Sequence, residues 1–203
     1  MRLLSALSTR GLAALAAALV VVSVSVSAGG AAPQSKKKGA GPETFNGKAK
    51  IGTATATADA AFTIQIDQYT PDKDLKAMEQ ALQSGGSDGF VQALKKAPVA
   101  GHLKVGDKSF TIRWAKQVTT PKGRSISLVT DGPVFFVGAG APDAKPRAGY
   151  DVAVAKMDID TAGLGEGLIA LAAKVKPGGQ TGVEIQDYAA EPVKLVSIMR
   201  VIS

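Results

Sequence analysis

The chain has 203 residues, 45% of them hydrophobic, with a formal charge of +7, one histidine and no cysteine. Without cysteine there is no disulfide framework, thiol nucleophile, cysteine-held zinc or iron–sulfur cluster, and a lone His102 excludes a histidine-rich metal site within one chain. The positive charge does not mark a nucleic-acid binder: Arg2, Arg10 and Lys36 to Lys38 carry five of the seven net charges, and the aromatics sit in apolar runs rather than among basic side chains where bases would stack.

The first element in chain order is MRLLSALSTRGLAALAAALVVVSVSVSA. A positive start, an apolar run from Leu12 to Val22 and a small-residue exit near Ala28 or Ala32 predict a secretory signal peptide over residues 1–28. The apolar run decays into Ser-Val alternation before it reaches the length of a membrane anchor, so cleavage is expected to leave no transmembrane segment. Residues 29–47, rich in Gly, Ala, Pro and Lys, read as a flexible linker with the KKK run as a solvated stretch. Residues 48–203 then form one domain, large enough to bury a core without staples.

Within that domain short strands dominate, the first being AKIGTATATA with small and β-branched residues at period two. AFTIQIDQY places Phe62, Ile64 and Ile66 on one face and Thr63, Gln65 and Asp67 on the other. SFTIRWAKQV by the same alternation turns Phe110, Ile112 and Trp114 inward, and GRSISLVTD sets Ile126 and Leu128 against Ser125 and Ser127. PVFFV reads as a short strand buried on both faces, and GYDVAVAKMDID, GEGLIALAAKV, TGVEIQDYA and EPVKLVSIMRV complete the set. Pro121-Lys122-Gly123, Asp131-Gly132-Pro133 and Pro177-Gly178-Gly179 supply the turns.

One stretch breaks the pattern. From Thr70 as a cap and Pro71 at the first helical position, Leu75, Met78 and Leu82 recur at helical spacing as far as Gly85-Gly86; a second helix opens near Ser87-Asp88 and stops before Pro98. The expectation is an α+β, mostly β fold, an antiparallel barrel or sandwich of about 8–10 short strands, with a helical hairpin inserted over about 71–97. That hairpin is expected to plug an open core or cover a sheet edge rather than act as a lid over a barrel mouth.

Chemistry is sought first in MDIDTAGLGEG. Counted from Asp158, a calcium loop finds oxygens at Asp158, Asp160 and Glu166 and a glycine at Gly163, but Ala162 and Ile169 stand where two further ligands belong, and the flank alternates like a strand. The glycines Gly163, Gly165 and Gly167 match neither phosphate-loop pattern, so the stretch reads as a structural turn with bulge glycines. The G-x-S-x-G pattern is absent and no serine is singled out beside His102, which reads as a strand-end residue. Asp67, Glu166, Glu184 and Asp187 are the carboxylates that could meet in space for glycoside hydrolysis, Glu166 with Asp187 above all. No catalytic, cofactor-binding or metal-binding residue is assigned.

The order GFVQALKKA, GRSISLVTDGPVFF, GLGEGLIALAAKVK and VEIQDYAAEPVKLVSIMR, over about Tyr69 to Arg200, resembles a group of uncharacterised secreted bacterial proteins without an assigned activity. Lys194 departs from the arginine common in that pattern. The resemblance implies export and a single domain. Two functions follow as expectations: a secreted or periplasmic, monomeric, non-enzymatic module binding a ligand in a barrel interior or docking to an envelope protein, or a carboxylate-dependent hydrolase of an envelope or extracellular substrate.

Overall fold

Alternation of inward and outward side chains is what closes the sheet. In the computed structural model, which describes residues 41–52, 57–135 and 147–202, nine antiparallel strands run β1 (Glu43–Gly52), β2 (Thr57–Ile66), β3 (Gly101–Val105), β4 (Lys108–Thr120), β5 (Gly123–Thr130), β6 (Val152–Asp160), β7 (Leu164–Pro177), β8 (Val183–Tyr188) and β9 (Val193–Val201). Strands β1 to β6 pair in sequence, β6 pairs with β7, the first half of β7 with β9, and β9 with β1. The result is a closed eight-stranded barrel, not a sandwich. Strand β8 stands outside the closure on the second half of β7. Closure leaves those eight strands no free edge.

Eight strands enclose a space that side chains can fill. Phe45, Ile64, Ile66, Ile126, Met157 and Ile159 are all buried in the interior cluster, and the void left among Ile64, Leu103, Ile112, Leu128 and Ile169 is about 10 Å³. That is the room of one water molecule. The expected alternation of β2, β5 and β6 holds: Ala153, Ala155, Met157 and Ile159 face inward while Lys156, Asp158 and Asp160 are exposed. On β1 to β3 the outer wall presents Asn46, Lys48, Lys50, Gln65 and Lys104 to solvent. No helix among the described residues is long and apolar enough to cross a membrane.

Four expectations need correction. Strand β1 begins at Glu43, inside the stretch read as linker; Phe45 is its lone large apolar residue before Ile51, too little for a period, yet it is fully buried. Pro133 to Phe135 of PVFFV are not strand, and the remaining two residues lie outside the described ones. Trp114 does not face inward with Ile112. The β4–β5 register slips between Ile112 and Trp114, and this bulge at Arg113 turns Trp114 outward and Ala115 inward, as one extra residue must.

The fourth correction concerns the helical insertion, α1 (Asp72–Lys96). Its bounds match expectation, but Thr70 does not cap it: the Thr70 hydroxyl accepts from the Ala115 N–H at 2.9 Å and so fastens the helix start to β4. Gly86, at φ 60 and ψ −154, breaks the helix, a conformation that suits glycine. Beyond it the chain doubles back, since a Cβ on Gly89 would lie 2.7 Å from the Ala81 carbonyl oxygen. The insertion neither plugs nor lids the barrel. Leu75, Met78, Leu82, Phe90 and Leu94 pack on the barrel's outer wall, against Trp114, Val129, Val154, Ala170 and Val175. The signal-peptide region, residues 1–28, lies outside the described residues.

Candidate functional site

At one end of the barrel the start of β1 meets the β4–β5 and β6–β7 hairpin tips and the end of β9. The β6–β7 tip is MDIDTAGLGEG. Asp160 begins a four-residue turn closed by the Gly163 N–H on its carbonyl at 3.1 Å, and its Oδ1 accepts the N–H groups of Ala162 and Leu164, both at 2.9 Å. Gly163 stands at φ 87; aspartate first and glycine fourth suit this turn. Gly165 and Gly167 face strand β6 so closely that a Cβ on either would fall 2.3 Å from a β6 carbonyl oxygen, and the β7–β9 register slips between them. The stretch is a structural turn with a bulge, as its sequence suggested. Among the described residues no group of three or more acidic or histidine side chains is placed to hold a metal ion.

A buried ionic cluster, which the sequence reading missed, closes this end. Glu43 and Arg124 occupy inward positions of β1 and β5. Arg124 holds Glu43 bidentately, Nη1 to Oε2 at 2.8 Å and Nη2 to Oε1 at 2.9 Å. The Tyr69 hydroxyl donates to Glu43 Oε2 at 2.7 Å, and Arg200 Nη2 lies 3.0 Å from Oε1. Arg124 also donates to Gln117 at 2.9 Å and lies over the Phe45 ring at 5.6 Å. The Glu43 side chain is 3% exposed. Burial alone would push its carboxyl up, but the hydrogen bonds from Arg124 and Tyr69 and the charges of Arg124 and Arg200 outweigh it and hold the group below its ordinary value. Burial first, then the bond to the Glu43 carboxylate, pushes the Tyr69 hydroxyl up. The backbone N–H of Arg200 donates to the Gly163 carbonyl at 2.8 Å, so the cluster is tied directly to the β6–β7 tip.

Beside the cluster lies an open cleft of about 630 Å³, within the range of ligand sites. Pro121, Ile159 and Leu164 give it apolar surface; Lys122 and the carboxylates of Asp158, Asp160 and Glu166 are its charged lining. Arg124 lines it too, but its guanidinium is committed to Glu43. Asp158 and Glu166 are direct cross-strand partners. The other carboxylates lie elsewhere. Asp67 accepts from Gln65 at 2.7 Å, and Glu184 pairs with Lys176 at 3.5 Å. Asp187 accepts from the Tyr150 hydroxyl, and that bond, with one from the Tyr188 N–H, holds its carboxyl down. Asp187 sits opposite Lys174 on β7, eight residues or on the order of 26 Å of strand from Glu166. Glu166 and Asp187 are therefore not brought together. His102 lies in β3 opposite Gln65 and Thr111, an ordinary strand position.

Comparison of the chain with family models, with curated proteins and with solved structures finds no match. Geometry therefore carries the functional reading. Leu164 leaves the cleft onto the outer wall, where it pairs across the sheet with Met199; Leu164, Leu168, Met199 and Val201 are each 43–57% exposed. Leu164, Met199 and Val201 sit together on neighbouring strands, whereas Leu168 stands opposite Lys194 with the exposed Glu166 between it and Leu164.

Proposed function

We propose that this chain is an exported, non-enzymatic binding domain that docks an envelope protein through the cleft and the adjoining apolar group of β7 and β9. The observation that carries the reading is the exposed apolar group Leu164, Met199 and Val201, which adjoins, through Leu164, a cleft of about 630 Å³; exposed apolar side chains gathered in this way mark interaction sites. The filled interior, with its void of about 10 Å³, leaves the outside of the barrel as the place to bind, so of the two binding modes docking is the better supported. Export rests on the signal-peptide pattern of residues 1–28, and membership of the secreted bacterial group on the motifs quoted above. The three carboxylates beside apolar surface suit a partner segment that carries cationic and apolar residues together.

Photo-crosslinking from position 199 in cells that export the chain tests this. A discrete adduct from Met199, none from Lys104 on another part of the wall, and loss of the adduct on Leu164→Glu is the expected result. Equal labelling from both positions, or none, overturns it. A carboxylate hydrolase is favoured only by Asp158 facing Glu166 in the cleft. It predicts turnover of an oligosaccharide panel that Glu166→Gln reduces by about 100-fold or more, and no turnover by the wild type removes it.

A further inference from the structure

The β7–β8 hairpin folds over the outer wall of β5 and β6 and encloses a second cavity, of about 330 Å³. One wall carries Ser125, Ser127 and Lys156; the other carries Thr181, Glu184 and Ile185. Ser125 and Ser127 are 4% and 2% exposed, and the Ser125 Oγ has no hydrogen-bond partner in the protein. A buried hydroxyl left unpaired costs about 1–3 kcal/mol, a cost that valine at this outward position of β5 would avoid. Ser127 is the direct cross-strand partner of Lys156. Lys116 and Lys176, on either side, are paired with Glu79 at 3.2 Å and Glu184 at 3.5 Å, whereas Lys156 enters no ion pair among the described residues.

We infer that this cavity is a binding site for a small carboxylate, held by the hydroxyls of Ser125 and Ser127 and the ammonium of Lys156. Hydroxyl donors beside one cation suit a singly charged anion, and hydrogen bonds to an ionised acceptor are the strong ones. A phosphate is the poorer match, because its second charge finds no second free cation and Glu184 stands in the opposite wall. The site is separate from the docking face, and neither reading depends on the other.

The test is titration of the isotope-labelled chain with acetate, succinate and benzoate, with methylammonium as the cationic control, read at the backbone amides. The expected result is saturable change at Ser125, Ser127, Lys156 and residues 179–183 with at least one carboxylate and none with methylammonium. Lys156→Gln, an exposed and structurally safe change, weakens binding at least tenfold. Ser125→Val removes one hydroxyl donor and narrows the cavity, and weakens binding at least tenfold while the melting temperature holds or rises. No saturable change with any carboxylate, an equal response to methylammonium, or undiminished binding by either variant overturns the proposal and leaves a hydrated polar cavity.

Discussion

Trp114→Ala is expected to lower stability by about 3–5 kcal/mol, or on the order of 10 °C in melting temperature for a domain of this size, whereas Trp114→Phe costs roughly 1 kcal/mol. The ring is fully buried between α1 and the barrel wall. It meets Phe90 of the helix edge-to-face, centroids 6.0 Å apart at 62°, with the Lys116 ammonium 6.0 Å from its own centroid; such pairs add to the area they bury. Truncation opens a cavity where helix and barrel join. Phenylalanine keeps most of the volume, and it orphans nothing, because the indole N–H has no partner to lose. Thermal melts followed by circular dichroism compare the two variants. Equal losses would show that the site collapses easily or that the indole N–H is bonded after all. As the only tryptophan, Trp114 also makes fluorescence a direct reporter of helix docking: in the wild type, emission should shift to the red as the helix leaves the wall.

The same residue shows where sequence reading reaches its limit. Alternation is a local property, so AFTIQIDQY and GYDVAVAKMDID could be assigned faces that the barrel keeps. Turn chemistry is local as well, and Asp160 with Gly163, or Gly86 in the helical insertion, falls where its residue type demands. A bulge is one unpaired residue whose cost depends on the neighbouring strand, and nothing in FTIRWAKQ announces that Arg113 is that residue. The first half of strand β1 was missed for a related reason: ETFNGK buries one large apolar side chain, and its pairing with β9 is a contact across almost the whole domain. The cleft needed two hairpin tips to meet and was not legible. The Glu43–Arg124 pair, 81 residues apart, was half legible. GRSISLVTD places Arg124 on the same face as Ile126 and Leu128, and a charge on a core face asks for a buried partner, but nothing in the sequence says which carboxylate answers.

Replacing Glu43 by Gln at pH 7 is expected to destabilise the chain by about 2–3 kcal/mol. The range sits below the usual cost of breaking a buried pair because the Arg124 and Arg200 side chains are 20% and 47% exposed and water screens part of the charge left behind. The pH dependence follows from the depressed carboxyl. A glutamate held below its ordinary value of 4.5 in the folded chain contributes stability that is fully present above the unfolded value and is lost as pH falls through the folded one. The gap between wild type and Glu43→Gln should therefore be constant from about pH 7 to pH 5 and close progressively below about pH 4.5. A gap that stays constant down to pH 3 would mean that Glu43 acts through shape and hydrogen bonding rather than charge. The double variant Glu43→Leu with Arg124→Met separates the two remaining accounts. If the cluster is a net source of stability, the double variant is at least as weak as Glu43→Gln. If its main effect is to penalise half-broken states, removing both charges recovers most of the loss, since well-packed apolar replacements of buried ion pairs are often neutral or better. The second outcome is the one expected here. The Phe45 ring already lies under Arg124 and offers an apolar surface to the methionine. Arg200 would then lose its side-chain partner and be held by backbone pairing alone, so the β6–β7 tip beside the cleft should loosen even where the melting temperature recovers. Faster amide exchange at Gly163 and Leu164 in the double variant, at restored stability, would show that the ionic cluster serves to position the β6–β7 tip and the proposed docking face more than to hold the barrel shut.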